Sequence, residues 1–149
     1  MIKKFYQALI HYFANKYIPV KYDRLNYLEL KSILTKRRVS TSRMNITDIS
    51  YFVTNEDTIK NYLSFNIFRH IKYVANIYDC DNYAISVLAI FKNLLPECAF
   101  GMAFVTRPKL NDRHALNFFI NENKEVIWVE PQTNKIYKDN SYKIDLVIV

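Results

Sequence analysis

The chain has 149 residues, half of them hydrophobic and 15% aromatic, which bounds it to one domain with a real core and excludes disorder. A single glycine, Gly101, excludes glycine-rich phosphate cradles, and two cysteines, Cys80 and Cys98, are too few for a disulfide scaffold or a four-thiolate zinc site. The net charge of +7, from 21 Lys and Arg against 14 Asp and Glu, favours acidic partners, nucleic acid or an anionic membrane surface.

Polar residues recur too soon after Met1-Ile2-Lys3-Lys4 for the apolar core of a secretory leader, and no stretch is apolar enough to cross a bilayer. A cytoplasmic, intracellular protein is expected. Ile2, Phe5, Leu9 and Phe13 recur at helical spacing, so residues 2–16 read as an amphipathic helix that Pro19 ends. Leu25, Leu28, Ile33 and Leu34 predict a second short helix running into Lys36-Arg37-Arg38. Residues 36–50 are polar and basic and read as a surface loop, whose cations could hold nucleic acid or another anionic partner. Thr54 followed by Asp57 resembles a capping box opening a helix that buries Ile59, Tyr62, Leu63, Ile67 and Phe68.

Asp79 is a natural N-cap for a helix whose apolar stripe is Ala84, Val87, Leu88, Phe91 and Leu95, closed by Pro96. Strand-like runs follow at Ala99–Thr106, Ala115–Asn121, Val126–Glu130 and Ile144–Val149, with a polar turn at Asn121-Glu122-Asn123-Lys124. The expectation is one domain over 1–149 of α+β class. Residues 1–74 would be mainly helical, and 75–149 a nucleophile helix packed on an antiparallel sheet.

The chemistry concentrates in three places. Cys80 falls in the first turn of its helix, where unpaired N–H groups and the helix dipole favour a thiolate and could hold an oxyanion. On the strand after residue 114, His114, Leu116 and Phe118 share one face while Ala115, Asn117 and Phe119 share the other, so Asn117 is not placed to orient His114. On the next strand Trp128, Glu130 and Gln132 share a face, and the intervening turn returns Glu130 towards His114. Cys80 as nucleophile, His114 as base and Glu130 as its orienter would make a catalytic set. Cys98 has no acid–base neighbour and reads as a buried small hydrophobe. Asp79 and Asp81 flank Cys80 and oppose its ionisation; a hard cation such as calcium, held by Asp81, Glu130 or Gln132, would offset them.

Asp79-Cys80-Asp81-Asn82-Tyr83-Ala84, His114-Ala115-Leu116-Asn117 and Trp128-Val129-Glu130-Pro131-Gln132-Thr133 resemble the papain-like cysteine-protease domain at the C-terminus of Marasmius-type fungal agglutinins. They also resemble its small stand-alone relatives in phages and bacteria. The resemblance spans about residues 75–137. It implies a papain-like fold, a Cys80–His114–Glu130 triad and support by calcium. It also implies Gln132 and Trp128 as substrate- or shell-binding residues, with Asp81 and Gln132 as metal candidates. The wider transglutaminase-like superfamily has a similar His-Ala strand, so a thiol-dependent hydrolase or acyltransferase acting on a protein or peptide amide is expected. The alternative is an inactive papain-like binding protein of viral or mobile-element type, with a basic surface for nucleic acid or an acidic partner.

Overall fold

Strong local signals set the element boundaries in a computed structural model that describes residues 23–149. The helix expected over 2–16 lies outside the described residues. Strand β1 (Arg24–Asn26) leads into α1 (Tyr27–Lys36), which begins two residues later than its apolar spacing suggests because Asn26 caps it. The Asn26 side chain accepts the Glu29 N–H at 3.0 Å and the Glu29 carboxylate accepts the Asn26 N–H at 2.9 Å, a reciprocal capping box. Leu30 and Leu34 form the buried side of α1.

The polar segment after α1 is more ordered than a loop. A 3₁₀ turn (Thr41–Arg43) precedes β2 (Met44–Asn45), and β3 (Ser50–Phe52) pairs antiparallel with β1. Helix α2 (Glu56–Leu63) is capped by Asn55, whose side chain accepts the Thr58 N–H at 2.9 Å, in place of the expected Thr54. Ile59, Tyr62 and Leu63 are buried as predicted, whereas Ile67 and Phe68 fall in a 3₁₀ turn (Ile67–His70), with Ile67 exposed and Phe68 half-buried. Helix α3 (Cys80–Leu94) follows the predicted stripe and buries Ala84, Val87 and Phe91.

The remaining strands are β4 (Phe100–Arg107), β5 (Asp112–Ile120), β6 (Val126–Glu130), β7 (Lys135–Tyr137) and β8 (Lys143–Ile148). With β2 they form a six-stranded sheet of order β2-β8-β4-β5-β6-β7, antiparallel except where β2 runs parallel to β8. One face carries Ala103, Val105, Leu116, Phe118 and Trp128 against α1, Leu25 and Tyr51. The other carries Phe100, Phe119, Ile127 and Val129 against α2 and α3, with Phe91 stacked on Phe100 at 3.7 Å between ring centroids. The central strands are therefore buried on both faces.

This corrects the expected papain-like α+β plan of a helical first part followed by a nucleophile helix on an antiparallel sheet. Strands already occur at Arg24–Asn26, Met44–Asn45 and Ser50–Phe52, and the described residues are organised by the sheet with three short helices around it. No helix among the described residues is long and apolar enough to cross a membrane.

Candidate functional site

The antiparallel pairing of β5 with β6 runs Ile120↔Val126 to Asn117↔Val129, closed by the turn at Asn121–Lys124. Lys124 takes φ 59° there, and the Asn121 N–H donates to the Glu125 carbonyl. This register returns Glu130 to His114: Nε2 of the ring lies 2.7 Å from Glu130 Oε2. The His114 side chain is 8% exposed and that of Glu130 19%, so the pair is shielded but reachable. A carboxylate on one ring nitrogen fixes ring orientation.

Glu130 is held from behind. The turn after it is tied by buried Asn66, whose Nδ2 donates to the Pro131 carbonyl at 2.8 Å and to Asn134 Oδ1 at 2.7 Å. Asn134 in turn donates to the Leu63 carbonyl at 2.9 Å and sits at φ 58°, a conformation asparagine tolerates. The Gln132 amide N–H points at Glu130 Oε1 from 3.5 Å, so the backbone of Gln132 rather than its side chain approaches the pair. Neither Asn66 nor Asn134 was legible as a site residue; an asparagine in a turn is the one signal that sequence offers for Asn134.

A polar group surrounds the pair. Arg107 and Asp112 are joined through Arg107 Nε at 2.8 Å, and that hydrogen bond holds the Asp112 carboxyl below the usual carboxylate range. The same bond, with Glu130 adding attraction, raises Arg107. The Tyr137 and Tyr142 hydroxyls meet at 3.2 Å, and burial above all pushes the Tyr137 phenol up. Trp128 is fully buried, with its indole N–H donating to the Asp139 carbonyl at 2.8 Å and its ring 5.6 Å from Tyr142. It supports the site from beneath, which corrects its expected contact with a ligand.

Cys80 opens α3. Residues paired across strands share a face, so His114, opposite Val105, belongs to the Leu116–Trp128 face. Its neighbour Ala115, opposite Phe104, belongs to the other, and half-buried Cys80 packs there with Ala84, Met102 and Ala115. Among the described residues no hydrogen bond joins Cys80 to His114. Of the three expected catalytic residues, His114 and Glu130 are in direct contact. Asn117, as read, takes the α3 face, donating to the Ala84 carbonyl. Cys98 is fully buried, and burial pushes its thiol up to about 12.

At the start of α3 the Asn82 side chain accepts the Asp79 N–H at 3.0 Å, while the Asp79 carboxylate accepts the Asn76 N–H at 3.1 Å. Hydrogen bonding between the two carboxyl groups lowers Asp79 and raises Asp81, an arrangement in which a shared proton relieves the crowding. Among the described residues no group of three or more His, Cys, Asp or Glu side chains is arranged to hold a metal.

No family model matches the chain, and no curated protein does. Solved structures do. "PSL1a-E64 complex" matches with TM-score 0.72 and 17% identity, over 85% of this chain and 51% of that one. Polyporus squamosus lectin bound to the human-type influenza-binding epitope Neu5Aca2-6Galb1-4GlcNAc matches with TM-score 0.71 and 18% identity, over 85% and 49%. The chain shares their fold, and it spans about half the length of each. These likenesses correct the family read from the motifs: the fold is the one shared with about half of each of these chains, the second of them a Polyporus squamosus lectin. The cysteine-protease and transglutaminase-like assignment, the thiol hydrolase or acyltransferase of peptide amides, and the inactive papain-like alternative are withdrawn with it.

Proposed function

We propose that this chain is a recognition domain for a hydroxyl-rich, glycan-type ligand, engaged where Glu130 holds His114. The observation that carries the reading is the 2.7 Å His114–Glu130 pair, fixed by Asn66 and the turn after β6 and rimmed by Arg107, Asp112, Tyr137 and Tyr142. Pre-oriented planar polar groups beside aromatic rings suit sugar hydroxyls, because each oxygen can donate and accept while the ring faces stay apolar. The sialylated trisaccharide in the second solved structure supports that ligand class. Calorimetric titration with Neu5Aca2-6Galb1-4GlcNAc and with its neutral disaccharide tests it. Saturable heat is expected, with Glu130→Gln weakening binding at least about tenfold, or about 1.4 kcal/mol. Absence of heat with these sugars and across a glycan array would overturn the reading.

A second reading is favoured by Cys80 standing at the first position of α3. Cys80, His114 and Glu130 would then be the site residues, with Glu130 orienting the His114 ring. It assigns no reaction. Calcium at Asp81 or Gln132 would show itself as a melting temperature that rises with calcium concentration.

A further inference from the structure

The basic segment after α1 folds into a wall. Arg37 caps the helix and crosses to the turn before β8, donating through Nη2 to the Asp139 carbonyl at 2.8 Å and through Nη1 to Asn140 Oδ1. Its Nε is buried without a partner, and burial lowers the guanidinium. Between this wall and the opposite turn lies a cavity of about 420 Å³, lined by Lys36, Arg37, Arg38 and Lys143 together with Asn140 and Ser141. The nearby Asp139 carboxylate is occupied, accepting the Ser141 N–H at 2.7 Å and its hydroxyl at 2.6 Å.

The attraction of cations to a helix C-terminus accounts for Lys36 and Arg37. It does not account for Arg38 or for Lys143. Arg38 occupies φ 63°, with its N–H on the Thr35 carbonyl and the Val39 N–H on the Leu34 carbonyl, the pattern of a Schellman cap. That position strongly favours glycine, and of the five described left-handed residues three are asparagine. An arginine there carries backbone strain while presenting its guanidinium at the cavity.

We propose that this cleft binds a tetrahedral oxyanion, a phosphate or sulfate monoester, together with part of the body that bears it. Guanidinium and ammonium groups supply charge, and the Asn140 side-chain NH2, whose oxygen is taken by Arg37, supplies a neutral donor for a remaining oxygen. The inference goes beyond the reading of His114–Glu130 and is independent of it.

The test compares melting temperatures in inorganic phosphate, inorganic sulfate and chloride at equal ionic strength, with glucose 6-phosphate and glucose 6-sulfate as ester arms. A saturable rise with one or both oxyanions, absent in chloride, is expected, and the ester arms separate phosphate from sulfate. Arg38→Gly is expected to raise the melting temperature in chloride, by relieving the strain, while weakening the oxyanion response about tenfold. Arg38→Gly combined with Lys143→Ala is expected to abolish it, and Glu130→Gln to leave it intact. An equal rise in chloride, or an undiminished response in the double variant, would overturn the proposal.

Discussion

Asn117 reaches from the middle of β5 to the Ala84 carbonyl of α3 at 2.9 Å, and to the Gly101 carbonyl at 3.2 Å. This bolts the helix bearing Cys80 to the sheet face opposite His114. The residue is fully buried, and both amide donors are used. Asn117→Ala is expected to destabilise the fold by about 1–3 kcal/mol, from lost hydrogen bonds and the space left behind. Urea unfolding should show a lower midpoint with an unchanged slope. A midpoint that does not move would mean α3 is held by its apolar stripe alone.

The His114–Glu130 pair should also be visible as coupling. Removing Glu130 leaves a buried imidazole nitrogen without its partner, so Glu130→Ala is expected to cost about 1–3 kcal/mol. In a double-mutant cycle with His114→Ala the interaction energy should be about 0.5–3 kcal/mol. Strict additivity would show that the 2.7 Å contact contributes nothing to the fold.

Much of the sheet was legible, and the reasons for the misses are physical. The turn at Asn121–Lys124 and the alternation after residue 114 placed β5 beside β6 and Glu130 beside His114. Alternation could not say which face α3 covers, because Ala115–Ile120 is buried on both sides and both sets are apolar apart from Asn117. The sequence therefore leaves the side of Cys80 open, and the structure packs it with Ala115. Strand β7, Lys135-Ile136-Tyr137, is too short to carry a period, and β2 exists through its parallel pairing with β8. Tyr137, Tyr142, Arg107 and Asp112 gather at the site through long-range pairing that no local pattern encodes.

Gly101 is the only glycine in the chain, and its place explains why it is one. A Cβ built there would lie 2.5 Å from the Ile148 carbonyl oxygen and 2.8 Å from Phe118 Cζ. Strand β8 and the Phe118 ring close on this point from two sides, and the backbone oxygen cannot move without shifting β8. Gly101→Ala is expected to cost about 1–3 kcal/mol through overpacking, despite the better strand propensity of alanine. Thermal unfolding checks this. An unchanged or higher melting temperature would show that the β4–β8 contact is more compliant than its spacing implies.

The two thiols should separate sharply by reactivity and by pH. Cys98 is fully buried between α3 and β4, and burial raises its pKa from about 9 to about 12. Its folded pKa is therefore above its unfolded one. The associated stability is fully present below pH 9 and is lost as pH rises through 12, because the unfolded chain releases the thiol proton first. The half-buried Tyr137 phenol is raised too and acts in the same direction at higher pH. Unfolding free energy is accordingly expected to fall between pH 9 and 12 by a few kcal/mol, on the order of 1.4 kcal/mol per pH unit from Cys98. Cys98→Ala should flatten that fall. In the native state near neutral pH, iodoacetamide should modify half-buried Cys80 and spare Cys98 until denaturant is added. Mass spectrometry reads both sites at once. Labelling of Cys98 in the native protein, or an alkaline profile indifferent to Cys98→Ala, would show that the packing around it opens more readily than its burial indicates.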